Sequence, residues 1–321
     1  MKIAIVSTED TRPGAFRAAH RLHRGLIKSG IDSQMFVQGK YSDDPTVSGL
    51  HLKHGRGKII NAVRPGIDRL PLRLYRNRKQ TNFSLQWLPD NLYSKISNWS
   101  PDAISLHWVC KGYFQIETLL KLNRLNLPIL WTLRDMWPFT GGCHYSFDCE
   151  KYVNSCGKCP QLNSNQAYDI SRWVWYRKSR TYKDLNLTVV ALSNWIASCA
   201  RESNLLKDKR IEVIPNGIDT ATYKPISQDM ARNIFGLPKN KKLVLFSAVN
   251  ATSDPRKGFI YLTQALTQLL NTDSLSEVEL VILGSTEPAI PQDFGYPTHY
   301  LGVLNDDLSI ALAYNVADVF I

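Results

Sequence analysis

The chain has 321 residues, 44% of them hydrophobic and 21% charged, a globular balance that excludes disorder as its main character. That length accommodates two domains, each with its own core. No apolar run approaches the roughly 20 residues that span a bilayer. The short apolar start meets Glu9, Asp10 and Arg12 at once, so it reads as a buried strand and not a secretory signal, which predicts a cytoplasmic protein.

Strand and helix patterns then alternate almost from end to end. Lys2–Val6 is an apolar run with β-branched residues. After a loop holding Pro13 and Gly14, Ala15–Lys28 carries Ala18, Leu22 and Leu26 at helical spacing and stops at Gly30. Ser33–Val37 reads as the next strand, and Ala103–Trp108 as another after the turn Ser100-Pro101-Asp102. A helix over Phe114–Leu122 precedes the strand Pro128–Leu133. Leu187–Leu192 leads into a helix over Asn194–Glu202, and Arg210–Ile214 closes the first half.

The turn-rich Ile214-Pro215-Asn216-Gly217 marks a boundary between a domain over 1–215 and a second over 216–321. The pattern restarts with the strand Lys242–Ala248, a helix over Ile260–Leu270 and strands at Glu277–Leu283 and His299–Gly302. A helix over Asp307–Asn315 and the strand Ala317–Ile321 follow. Strands separated by helices imply parallel sheets covered on both faces, hence an α/β protein of two Rossmann-like, doubly wound domains. Because the chain stops in an apolar strand, the second domain reads as incomplete.

Charge is unevenly placed. The net charge is +11, and between His51 and Gln80 nine basic residues stand against a single acid, Asp68. Such a cluster favours anionic partners (phospholipid headgroups, phosphorylated substrates or nucleic acid) or is a solvated surface.

Four of the six cysteines are crowded together. Cys143, Cys149, Cys156 and Cys159 follow C-x5-C-x6-C-x2-C. The two-residue gap in Cys156-Gly157-Lys158-Cys159 lets both thiolates face one metal, and Cys143 with Cys149, or His144 as a replacement, closes a tetrahedron around a structural zinc. Four thiolates leave no open position, so such a metal staples a loop and does not activate water. Packing thiols and disulfides are the alternatives, the latter disfavoured without a secretion signal. Cys110 and Cys199 read as core residues.

Ligands of parallel α/β sheets lie beyond the carboxyl ends of the strands. After the first strand, Gly14 precedes a helix N-terminus suited to phosphate or simply to a turn; the fingerprint G-x-G-x-x-G is absent. In Trp131–Tyr145, Arg134 and Asp135 stand side by side at a strand end among aromatics and a Gly pair, which reads as a ligand wall more than a bare ion pair. His107 ends another strand, as a structural histidine or as an acid or base. Arg256, Lys257 and Gly258 at a helix entrance suit a diphosphate, or flank a surface turn.

Val190–Ile196, the segment Val213–Asp219 and Arg256-Lys257-Gly258 together resemble the glycosyltransferase family-four group. The stretch Trp131–Leu162, with its cysteine block, is similar to the exopolysaccharide branch of colanic-acid type. The resemblance implies a GT-B architecture with the active site between two Rossmann-like domains. It further implies retaining transfer of a sugar from a nucleotide-diphosphate donor to a saccharide or lipid-linked acceptor, without a catalytic metal. The amino-terminal domain would hold the acceptor and the carboxy-terminal one the donor. Lys257 matches the donor-phosphate lysine, Gly14 the glycine-loop position, and Arg256 stands in for the family's first donor-site arginine.

Two departures stand out. Many relatives carry His where this chain has Arg134, and a guanidinium cannot shuttle a proton at neutral pH; Arg134 is then an electrostatic clamp or a donor to a sugar hydroxyl. Beyond Ile321 the family continues with a Pro-Ser loop and two glutamates, the second of which holds the ribose, so the chain as written is expected to bind donor poorly or not at all. In the basic stretch, Leu70, Leu72, Leu74 and Tyr75 interleave with Arg69, Arg73 and Arg76. That pattern suits an anionic membrane surface on the cytoplasmic leaflet, where lipid-linked acceptors reside. Two rivals remain: a basic zinc protein binding nucleic acid, which the doubled α/β pattern does not need, and a non-catalytic remnant or partner-dependent subunit.

Overall fold

Alternate residues of the first strand leave it on opposite sides: Ala4 and Val6 enter one apolar core and Ile5 another. A strand buried on both faces belongs inside a parallel sheet, with a neighbour on each side. The structure, a computed structural model, describes residues 1–11, 14–49, 56–248, 254–269, 277–287 and 294–321. It divides into two units, Met1–Gly217 and Ile218–Ile321.

The first unit runs β1 (Lys2–Glu9), α1 (Ala15–Lys28), β2 (Asp32–Gly39), β3 (Val47–Gly49), α2 (Arg56–Asp68), α3 (Leu92–Trp99), β4 (Ala103–Leu106), α4 (Thr118–Asn123), β5 (Ile129–Thr132), α5 (Ile170–Tyr182), β6 (Leu187–Ala191), α6 (Asn194–Glu202) and β7 (Arg210–Val213). Its sheet has the order β3-β2-β1-β4-β5-β6-β7, all parallel. Strand order reverses between β1 and β4, where Ala4 lies opposite Ile104. At such a switch point the connections leave in opposite directions and open a crevice at the carboxyl ends.

Local chemistry sets the helix limits. The Asp169 carboxylate caps α5 by accepting from the Ser171 and Arg172 N–H groups, and Ser193 caps α6. The helix expected over Phe114–Leu122 starts only at Thr118. The Gln115 N–H donates to the Asp90 carboxylate at 3.0 Å and the Ile116 N–H to the Gln86 carbonyl at 3.1 Å, so tertiary partners hold the backbone there.

The second unit contains α7 (Gln228–Phe235), β8 (Lys242–Ser247), α8 (Phe259–Leu269), β9 (Val278–Leu283), β10 (Thr298–Gly302), α9 (Asp307–Asn315) and β11 (Val319–Phe320). Its parallel sheet, β10-β9-β8-β11, also reverses at its first strand. Leu280 and Ile282 pack into one core with Phe246, while Val281 and Leu283 enter the other with Leu243 and Leu245.

Residues 51–55 of the basic stretch lie outside the described residues. The remainder is not uniformly a surface. Arg64 is buried and donates to the carbonyls of Gly112 at 2.8 Å and Pro89 at 2.9 Å, and the Asp68 carboxylate accepts from the Leu85 and Gln86 N–H groups. Leu72, expected at an interface, is a core residue. Arg69, Arg73, Arg76 and Lys79 are exposed, as are Leu70 and Leu74. Among the described residues no helix is long and apolar enough to cross a membrane.

Candidate active site

The carboxyl ends of β1, β4 and β5 meet at the switch point of the first unit. Past β1, the Thr8 N–H donates to the Trp108 carbonyl at 2.7 Å, and the His107 N–H reaches back to Val6 at 2.9 Å. These bonds carry the β1–β4 pairing past Leu106 and aim His107 and Trp108 from the strand end. Gly14 opens α1 at φ 85° and ψ −130°. A Cβ added there would meet nothing within 4 Å, so the backbone angle, and not crowding, requires glycine.

Arg134 follows β5. Its Nη2 donates to His107 Nδ1 at 3.1 Å and its Nη1 to the Asn216 side-chain oxygen. Burial lowers its pKa to about 10, which leaves it charged at neutral pH. His107 is buried, and that burial, followed by the adjacent guanidinium, holds its pKa down at about 3. A guanidinium only donates, so Nδ1 is the acceptor and the neutral ring carries its proton on Nε2, 3.3 Å from Ser105 Oγ. Neither side chain is a base at neutral pH.

Asp135 is turned into the protein. Its Oδ2 accepts from Trp108 Nε1 at 2.5 Å and from His144 Nδ1 at 2.6 Å, while Oδ1 accepts from the Trp137 N–H at 2.9 Å. His144 is engaged at both nitrogens, since Nε2 meets Ser84 Oγ at 3.0 Å. Trp108 lies against the His144 ring and meets Phe16 edge-on at 5.3 Å. Lys111 sits over both Phe16 and Trp108 and pairs with Glu9 at 3.3 Å. The sequence singled out none of Phe16, Ser84, Lys111 or His144 as a member of this group. Of these only His144 lies within the marked segment 131–145; nothing in the sequence pointed to Phe16, Ser84 or Lys111.

The second candidate set lies in the other unit. Pro255–Lys257 form a short turn ahead of α8, and Gly258 takes φ 76° at its entrance. Arg256 is bound to the Asp254 carboxylate at 2.5 and 2.9 Å. Lys257 is exposed.

The four clustered cysteines are free thiols and line one small pocket together with Phe83, Gly141 and Gly157. Burial first, then neighbouring thiols, push Cys143 and Cys156 up, Cys156 to about 12. As the side chains stand, no group of three or more His, Cys, Asp or Glu among the described residues is arranged to hold a metal ion. His144 is committed to Asp135 and Ser84, which removes it as a replacement ligand. Beside this pocket Lys178 is fully buried, donating to the carbonyls of Trp137 and, at 3.0 Å, Thr140, with Nζ over the Trp137 ring; burial lowers its pKa to about 7.

Two parallel sheets in series, each reversing strand order at its first strand, make two Rossmann-like units, with the strand-end residues above as the candidate site. Residues 13–222 match the model of Glycosyltransferase Family 4, and the chain belongs to that family. It is 30% identical over 241 residues to a protein of Escherichia coli (strain K12) named for colanic acid biosynthesis, the glycosyl transferase WcaC. The match covers 70% of this chain and 57% of that relative, so the chain spans little more than half the length of the curated relative it matches.

Solved structures agree on the fold. A glycosyltransferase from Rickettsia africae ESF-5 gives a TM-score of 0.57 at 14% identity, covering 99% of this chain and 72% of its own. Sucrose-phosphate synthase of Thermosynechococcus elongatus gives 0.55 at 14%, covering 100% and 74%. HepE of Anabaena, solved with UDP and glucose, gives 0.51 at 13%, covering 100% and 73%.

Proposed function

We propose that this chain belongs to a retaining glycosyltransferase that moves a sugar from a nucleotide-diphosphate donor to a saccharide or lipid-linked acceptor in cell-surface polysaccharide synthesis. The observation that carries this reading is the fixed guanidinium of Arg134 at the β1–β4–β5 strand ends. It is held by His107 and Asn216 and remains cationic at neutral pH. Fixed positive charge stabilises a departing diphosphate without reorganising during the reaction. Membership of family 4 and the UDP and glucose held by HepE support the donor class.

In the proposed step the bond from the sugar anomeric carbon to the diphosphate oxygen breaks. The acceptor oxygen attacks the same face, and its proton passes to the departing diphosphate. Arg134 and His107 are unsuited to take that proton, which favours the leaving group as its recipient. The first unit takes the acceptor against Trp108 and Phe16, with Gly14 at the opening of α1. The second unit takes the donor phosphates at Arg256, Lys257 and Gly258.

The exposed Arg69, Arg73, Arg76 and Lys79, with Leu70 and Leu74, support contact with an anionic membrane on its cytoplasmic face. Cosedimentation with vesicles tests this, and equal binding to neutral and anionic lipid overturns it. The transferase reading is tested by calorimetry with UDP, GDP and ADP, followed by NMR of the product formed from the sugar nucleotide that binds. Weak binding of one nucleotide and a retained anomeric configuration are expected. An inverted product overturns the reading, and steep salt-dependent binding to nucleic acid without binding of any nucleotide favours the rival class.

A further inference from the structure

We propose that Cys143, Cys149, Cys156 and Cys159 bind one zinc ion as a closed tetrathiolate site that fastens the 141–160 loop to α5. The site is separate from the transferase reading and stands or falls independently of it.

The loop carries almost no regular secondary structure. Between Thr140 and Asp169 its only helical element is the three-residue turn Lys151–Val153. Long stretches without regular structure are uncommon in packed domains and call for some other restraint. Yet Cys143, Cys156 and Cys159 are each less than a tenth exposed. They come from separate parts of the loop, and with Cys149 all four border the same pocket. The rest of its wall includes Phe83, Lys151 and Gln161 and the small residues Gly141, Gly157 and Ser171.

The backbone is shaped to deliver the sulfurs. Gly157 at φ 137° and Lys158 at φ 44° turn the chain between Cys156 and Cys159. A Cβ on Gly141 would lie 2.4 Å from the Ser171 carbonyl oxygen and 2.6 Å from Cys156 Cβ, and one on Gly157 2.3 Å from the Ala167 carbonyl oxygen. The Gly141 N–H donates to Cys156 Sγ at 3.0 Å, the kind of bond that stabilises a thiolate. The turn is braced from outside: Lys151 Nζ donates to the carbonyls of Gly157 and Lys158, and the Cys159 N–H donates to Asp169 at 2.8 Å. Asp169 also caps α5, which couples the cysteine loop to that helix.

Four soft sulfur donors and no carboxylate select zinc over magnesium or calcium. Since the thiols border the pocket without forming a shell as they stand, metal binding must turn them inward about their Cα–Cβ bonds. Binding would displace their protons and leave no coordination position for water.

The test is metal analysis of the full chain, expressed with zinc and passed through gel filtration. One zinc per chain is expected, released by a mercurial reagent as four thiols react. Cys149→Ser, at the least buried ligand, should reduce retained zinc at least about tenfold, while Cys199→Ser, outside the cluster, should retain one ion. Should Cys149→Ser fail to fold, cobalt reconstitution of the unaltered chain supplies the readout, as the intense visible bands of a tetrahedral cobalt thiolate. A zinc-free protein without that cobalt spectrum overturns the proposal. So does a non-reduced mass short of hydrogens, which would mark disulfides within the cluster.

Discussion

Arg134 donates through Nη2 to His107 Nδ1 at 3.1 Å. That single bond fixes which ring nitrogen of His107 carries its proton, and it sets a cation beside an imidazole that is already desolvated. Both consequences oppose charging the ring.

Stability should therefore fall as the solution is acidified below the unfolded histidine pKa. His107, at about 3, and His23, buried between Ser33 and Thr46 at about 4, both titrate below their ordinary 6.5. Between those limits the unfolded chain binds more protons than the folded one, so folding stability rises with pH and is complete above 6.5. The slope is up to about 1.4 kcal/mol per pH unit for each histidine. Urea unfolding of the wild type and His107→Gln between pH 7 and 4 should show the difference between them shrinking toward low pH; a constant difference contradicts the assignment.

Asp135→Asn should destabilise the first unit by about 1–3 kcal/mol, because a buried amide can replace only part of what the carboxylate accepts. With three N–H donors converging on it, one face of the Asn amide presents N–H against N–H. Urea unfolding measures the loss, and a change in near-ultraviolet dichroism from Trp108 should accompany it.

In the second unit, Arg232 ties α7 to the chain entering β11. It is buried, bonds Asp318 at 2.6 Å and donates to the carbonyls of Val316, Lys239 and Lys241. Arg232→Lys keeps the charge but not the planar fork. We expect a loss of about 3–5 kcal/mol, read as early melting of this unit; a change below about 1 kcal/mol would show that the network is replaceable.

Lys257→Ala should weaken nucleotide-diphosphate binding by about tenfold or more, whereas Arg256→Ala should have the smaller effect. Arg256 is already bonded to Asp254 on two sides. Calorimetry on the two variants ranks them, and the reverse order would assign the phosphate contact to Arg256.

The short, continuous apolar runs in β1, β5 and β8 made the parallel sheets legible in the sequence, because burial on both faces leaves no polar alternation. Charged interior residues were harder to see. Lys178 reads as solvated in the string Tyr176-Arg177-Lys178-Ser179, although Val174 and Tyr182, one helical turn to either side, share its buried face. Arg64 likewise counts as surface charge until its backbone partners are known. At the site, the strand-end positions of His107, Arg134 and Asp135 were readable. Asp135's inward orientation was not, since it depends on Trp108 and His144 arriving from other segments.

Trp108, Asp135 and His144 lock two strand ends and the following loop into one unit through two short bonds and a ring contact. A ligand that settles against this indole meets a wall already in place. Little conformational freedom is surrendered on binding there, so discrimination among ligands falls to shape and polar pattern more than to loop closure.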